Sequence, residues 1–215
     1  MTGGPIVEFL ELPEAAFDKA DPTPDHLFYA EPRFVAHIDE AAIAAVTTLY
    51  RELFPPGAVV LDLMSSWISH LPPDVPYAAV IGHGLNAAEL DANPRLTQRF
   101  VQDLNQDATL RLESGSVDAA AICVSVQYLQ RPAAVLSEVR RALRPGAPVA
   151  ITFSNRCFPT KAVAIWGALR PHDLKRLVAL YLTRAGFDRI ETRTLLPPGR
   201  GHDPLWAAIG RSPAE

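Results

Sequence analysis

The last third of the chain restricts its fold more than any other stretch. "DRIETRTLL" (188–196) and "PLWAAIGR" (204–211) read as two strands joined by a Pro/Gly loop, with no helix between them. So short a loop cannot carry a parallel crossover, so the pair must be antiparallel. Upstream the pattern changes. "AVVLDL" (58–63), "YAAVIG" (77–82), the weaker "RFVQDL" (99–104), "VDAAAICVSV" (117–126) and "APVAITFS" (147–154) are short, mostly continuous apolar runs. Strands buried on both faces by flanking helices have that character. Residues 39–54 predict a helix capped by Asp39, with Ile43, Val46, Tyr50 and Leu53 at helical spacing. Residues 132–144 predict another, opened by Pro132, striped by Val135, Leu136, Val139, Ala142 and Leu143, and stopped by Pro145–Gly146. A third covers 173–185 and ends at Gly186. The expected fold is α/β: a Rossmann-like three-layer αβα sandwich whose mostly parallel seven-stranded sheet finishes in an antiparallel C-terminal hairpin.

The 215 residues suffice for one full core, and 48% hydrophobic with 20% charged residues is a globular composition. A formal charge of −4 gives no footprint for nucleic acid. Arg140, Arg141 and Arg144 read as a solvated helix face. The N-terminus, "MTGGPIVEFLELPEAAF", lacks the basic and apolar regions of a signal peptide, and no apolar run reaches membrane-spanning length. The two cysteines, Cys123 and Cys157, lack metal-ligand spacing. These features predict a cytoplasmic protein without a metal, a nucleic-acid partner or a membrane partner.

Four fragments occur in a telling order: "VVLDL" (59–63), "FVQDL" (100–104), "GSVDAAAICVSVQYL" (115–129) and "RPAAVLSEVRRALRPGAPVAITF" (131–153). Together they resemble the class I S-adenosylmethionine-dependent methyltransferases, over roughly residues 40 to 211. The last fragment is the most specific. "RFVAHID", "LDLMSSWISHLP", "GHGLNAAEL", "VQDLN" and "FSNRCFPTKAVAIW" are similar to a narrower, type 11-like subfamily. The resemblance implies S-adenosyl-L-methionine as cofactor and a methyl acceptor as second substrate. It also divides the chain into an N-terminal arm or lid (1–38) and a methyltransferase domain (39–215).

Carried over residue by residue, the resemblance makes Asp62 the counter-ion of the cofactor's ammonium. Met64, Ser65 and Ser66 stand where the family places glycines, and the two serines offer N–H and hydroxyl donors to its carboxylate. The alternative is that Asp62 and the serines cap a short helix ended by Pro72–Pro73. After strand two the family's ribose-binding acid is replaced by Gly84, followed by Leu85 and Asn86. His83 or Glu89 would substitute for the acid, and Asn86 also suits a helix N-cap. Asp103, with Leu104, ends what reads as a central strand, where open α/β sheets bind ligands, and is placed to contact adenine. Its alternative is an Asx turn before Asn105. Ser125 follows strand four.

No general base is assigned. Tyr29, Arg33, His37, Tyr128, Asn155 and Arg156 are the expected substrate-side residues, with His70, Gln127, Ser154 and Cys157 on the same rim. Arg156 would hold an anionic group on the acceptor. "FYAEPRFVAHID" (28–39) has the aromatics of a lid, or of an arm packed across the sheet edge. The function expected is methyl transfer to a small-molecule acceptor. One rival is a catalytically inactive binding module on the same fold; another is a nucleotide-dependent oxidoreductase, disfavoured by the missing G-x-G-x-x-G and the reversed last strand.

Overall fold

A computed structural model of the protein describes residue 9 and residues 11–214. The start of the expected arm, residues 1–8 and 10, and residue 215 lie outside the described residues. The sheet contains seven strands: β1 (Val59–Leu63), β2 (Ala79–Gly84), β3 (Gln98–Val101), β4 (Ala119–Cys123), β5 (Pro148–Phe153), β6 (Asp188–Leu196) and β7 (Leu205–Arg211). Their spatial order is β3-β2-β1-β4-β5-β7-β6. The first five strands run parallel; β7 pairs antiparallel with both β5 and β6. The helices are α1 (Asp25–Phe28), α2 (Glu40–Leu53), α3 (Ala87–Ala92), α4 (Pro132–Ala142), α5 (Ala164–Ala168) and α6 (Pro171–Arg184).

Alternation of side chains explains the continuous apolar runs. Leu61, Leu63, Ile122, Val149, Ile151 and Phe153 enter a core that includes Val135, Leu136 and Val139 of α4 and Leu177 and Val178 of α6. Val60, Val80, Ala119, Ala121 and Ala150 enter the opposite core, with Val46, Leu49 and Tyr50 of α2. Local signals set the helix ends. The Asp39 carboxylate accepts the Ala42 N–H at 2.9 Å, capping α2. Pro132 opens α4, and Gly146 turns with φ +75° after it.

Several expectations need correction. β2 covers 79–84 rather than 77–82, because its ladder with β1 begins at Val59 opposite Ala79. β4 ends at Cys123, since Val124 turns to φ +42° and the chain enters a 3₁₀ turn, Val126–Tyr128. β3 is not central: it is the outer edge of the sheet, and Asp103 lies just past its end. No helix follows β1 before β2, so Asp62 and the serines have none to cap. The three arginines are all engaged, and Arg144 lies past the end of α4. Arg140 donates to the Ala185 carbonyl, Arg141 to Glu138, and Arg144 pairs with Asp118. Among the described residues, no helix is long and apolar enough to cross a membrane.

Candidate functional site

A cavity of about 560 Å³ opens at the carboxyl ends of β1, β2 and β4. Strand order reverses between β1 and β4, which makes this the switch point where open α/β sheets hold ligands. The expected cofactor-side residues Asp62, Met64, Ser65, Ser66, Gly84, Leu85, Asn86, Asp103, Leu104 and Ser125 line the cavity, as do Tyr29, Arg33, His37, Tyr128, Asn155 and Arg156. Of the further rim candidates, His70 and Cys157 line it, whereas Gln127 and Ser154 are fully buried outside it. Their roles differ from the simple expectation, because many polar groups are already bonded to one another.

The glycine-free turn after β1 is held by a histidine. Met64 adopts φ +57°, a region most side chains avoid. Its N–H donates to His83 Nδ1 at 3.2 Å, and the Ser65 N–H donates to the His83 carbonyl at 2.6 Å. With Nδ1 accepting, Nε2 carries the proton and donates to the Gln102 carbonyl at 2.8 Å. His83 is buried, and burial pushes its pKa down to about 4. It is a neutral pin between turn, β2 and the β3 end, not a replacement for an acid.

Gly84 answers the question of the missing ribose acid. A Cβ there would lie 2.6 Å from the Ser65 carbonyl oxygen, so the turn itself occupies the space a side chain needs. The buried acid nearest in chain is Glu89, on α3. It accepts the Ser66 hydroxyl at 2.5 Å and the Arg33 N–H at 2.7 Å, joining turn to arm. Asn86 does cap α3, its Oδ1 accepting the Glu89 N–H at 3.1 Å. Its Nδ2 also donates to the Tyr29 and Ala30 carbonyls at 2.9 and 3.0 Å.

Asp62 is buried, and its Oδ2 accepts the hydroxyls of Ser65 (2.6 Å) and Ser69. Burial raises its pKa; the two serine hydroxyls oppose that rise. The Ser65 and Ser66 hydroxyls are thus engaged with Asp62 and Glu89 rather than free for a ligand carboxylate. Asp103 does form the Asx turn, Oδ1 accepting the Asn105 N–H at 2.9 Å. Its Oδ2 is nonetheless buried with no partner, as is the Ser125 hydroxyl. Unpartnered polar atoms of this kind are uncommon in native interiors, and here both belong to residues that line one cavity. Val124, beside Ser125, is a β-branched residue at φ +42°. Strain therefore sits at the ends of both β1 and β4.

On the arm side, the Arg33 guanidinium lies 4.7, 5.6 and 5.4 Å from the ring centroids of Phe28, Tyr29 and Phe158. It donates to the Phe28 carbonyl at 2.9 Å. Arg156 is largely exposed, with Nε 3.7 Å from Asp203. Arg33 is thus held within the arm, whereas Arg156 stands largely exposed at the cavity rim. The Tyr128 hydroxyl accepts the Phe158 N–H at 2.9 Å, and burial raises its pKa to about 12. Burial also raises the Cys157 and Cys123 thiols, Cys123 to about 12, so neither is a poised nucleophile.

Sequence reasoning missed the group that fixes the arm. Lys161 is fully buried and donates to the Thr23 carbonyl at 2.5 Å, with Asp21 and Asp25 at 3.2 and 3.4 Å. Asp25 in turn accepts from Lys19 at 2.5 Å and from Asn105 at 2.9 Å. Residues 140 positions apart cannot be paired by local pattern; the one signal was a lysine inside "KAVAIW".

Residues 68–151 match the family model described as a methyltransferase domain. Among solved structures, an S-adenosylmethionine-dependent methyltransferase from Mesorhizobium loti is 17% identical, with a TM-score of 0.56, over 78% of this chain and 98% of that one. One from Archaeoglobus fulgidus is 14% identical, with a TM-score of 0.60, over 86% and 98%. The Haemonchus contortus phosphoethanolamine N-methyltransferase 2, solved with S-adenosyl-L-methionine, is 14% identical, with a TM-score of 0.57, over 79% and 52%. No curated protein matches the sequence.

Proposed function

We propose that this chain, a class I S-adenosylmethionine-dependent methyltransferase by the domain it matches and the fold it shares, methylates a small-molecule acceptor inside the cavity described above. S-Adenosyl-L-methionine supplies the methyl group at an electrophilic sulfonium. The observation that carries the assignment is the partnerless, buried Oδ2 of Asp103 in the same cavity as Asp62. An adenine amino group would satisfy Asp103, and an ammonium would offset the burial of the Asp62 charge. With the Met64 and Ser65 N–H groups bonded to His83 and the serine hydroxyls engaged, the main-chain N–H groups that follow Ser65 would serve the carboxylate. Glu89, with acceptor capacity beyond its two bonds, would take the ribose hydroxyls in place of an acid at Gly84.

The rest of the contribution is positioning and exclusion of water. Residues 25–37 form the lid, clipped to the sheet rim by Asn86 and Glu89 and anchored at its root by Lys161. A cavity of this size has room for one small cofactor and little more, which favours a compact acceptor over a macromolecule.

Ultraviolet cross-linking with methyl-labelled S-adenosylmethionine, followed by peptide mapping, tests the assignment. Label competed by S-adenosylhomocysteine is expected in peptides containing 62–69, 84–89 or 103–105. Labelling confined to other peptides, or none, contradicts it.

A further inference from the structure

The arm side of the cavity holds a group that the cofactor does not use. His70 follows the β1 turn, with its carbonyl accepting the Thr47 hydroxyl of α2 at 3.0 Å. Its side chain lines the cavity, yet Nδ1 is buried and has no partner within the protein. Its electrostatic neighbour is His37, whose ring stands nearly perpendicular to Phe158 at 5.5 Å. The Phe158 ring is 6.2 Å from Tyr29 and 6.1 Å from Tyr128. A wall of rings and an imidazole with an unpartnered Nδ1 therefore line one cavity.

Charge selects what fits there. Arg33 lies over these rings and repels a cation, and it is turned to the Phe28 carbonyl; Arg156 is largely exposed at the rim, with the Asp203 carboxylate 3.7 Å away offsetting its charge. Burial pushes His70 down to about 4 and lowers His37, so both imidazoles are neutral near pH 7. The acceptor that suits this wall is neutral, flat and bears a hydrogen-bond donor.

Resting on the methyltransferase reading, we infer that the acceptor is a neutral phenol whose ring packs on Tyr29, Tyr128 and Phe158 and whose hydroxyl donates to His70 Nδ1. A lone pair of the phenol oxygen forms the new bond to the methyl carbon, and the electron pair of the broken carbon–sulfur bond stays on sulfur. The hydroxyl proton passes to His70 Nδ1. A phenol oxygen that gains a methyl group before losing its proton is far more acidic than an imidazolium, so a weakly basic histidine suffices.

The test uses 4-nitrophenol and its O-methyl ether, 4-nitroanisole, titrated at about pH 6, where the phenol is mostly neutral, into the protein saturated with S-adenosylhomocysteine. The phenol is expected to bind at least tenfold more tightly than the ether, because only it satisfies Nδ1. With S-adenosylmethionine at the same pH, the yellow phenolate absorbance developed by adding alkali to quenched samples should fall as 4-nitroanisole forms. His70→Gln should reduce kcat at least 100-fold with cofactor affinity within twofold, and added imidazole should partly restore His70→Ala. Equal affinity of the wild-type protein for phenol and ether overturns the inference without any variant. So does turnover that His70→Gln leaves unchanged, or cofactor binding without phenol turnover; these leave the methyltransferase reading standing. Absence of cofactor binding instead removes the reading beneath it.

Discussion

The Met64 N–H donates to Nδ1 of His83, 3.2 Å away, and this one contact replaces the glycines that would otherwise let the chain turn after β1. A rigid imidazole on β2 holds Met64 at a φ of +57°. Removing the ring leaves the Met64 N–H and the Gln102 carbonyl buried without partners. His83→Ala should therefore lose roughly 2–5 kcal/mol in urea unfolding, from two unmet groups and a cavity. Loss below 1 kcal/mol would show that the turn stands without its pin.

The same ring sets a pH dependence. His83 and His70 have folded pKa values of about 4, below the 6.5 of a free histidine. Between these values the unfolded chain binds protons that the folded one refuses, so stability rises with pH in this window. Stability should fall on acidification from about pH 7 to 4, at up to about 1.4 kcal/mol per pH unit for each histidine. The raised pKa of Asp62 acts with the opposite sign near the acid end. Calorimetric unfolding near pH 5.5 in buffers of different ionisation heat should register uptake of about two protons from this pair.

Gly84 supplies a third prediction. Restoring an acid there, as Gly84→Asp, should not improve cofactor binding, because the Ser65 carbonyl would meet the new Cβ at 2.6 Å. Gly84→Ala already forces the turn to shift and should cost about 1–3 kcal/mol. Thermal melting and a binding titration on the two variants check this; a gain in affinity from the acid would contradict it.

Much of this was legible in the sequence because it is periodic. The apolar runs, the helix stripes and the helix-free step from β6 to β7 set the sheet and its reversed strand. Strand ends were less legible: Val124 and Met64 turn through strained backbone that no local propensity announces. The site residues were found by their position after strands, but not their bonding. Ser65 and Ser66 face acids rather than open space, and Asp103 sits at a sheet edge, because long-range partners decide both. The Lys161 anchor was invisible for the same reason.

That anchor gives a fourth prediction. Lys161→Ala leaves Asp25 short of one of its two cations and exposes a hole beneath Phe28. Breaking a buried ion pair from one side costs about 3–5 kcal/mol. The arm should become the preferred site of limited proteolysis, between residues 19 and 37, while the sheet resists. Unchanged cleavage of the arm would separate Lys161 from its anchoring.

The most direct measurement is a calorimetric titration of the protein with S-adenosylhomocysteine, alongside Asp103→Ala. Micromolar binding by the wild-type protein is expected. The variant should bind at least tenfold more weakly, about 1.4 kcal/mol, with its melting temperature preserved. A well-folded wild-type protein that shows no heat at millimolar ligand, or an Asp103→Ala variant that binds equally well, would contradict the account.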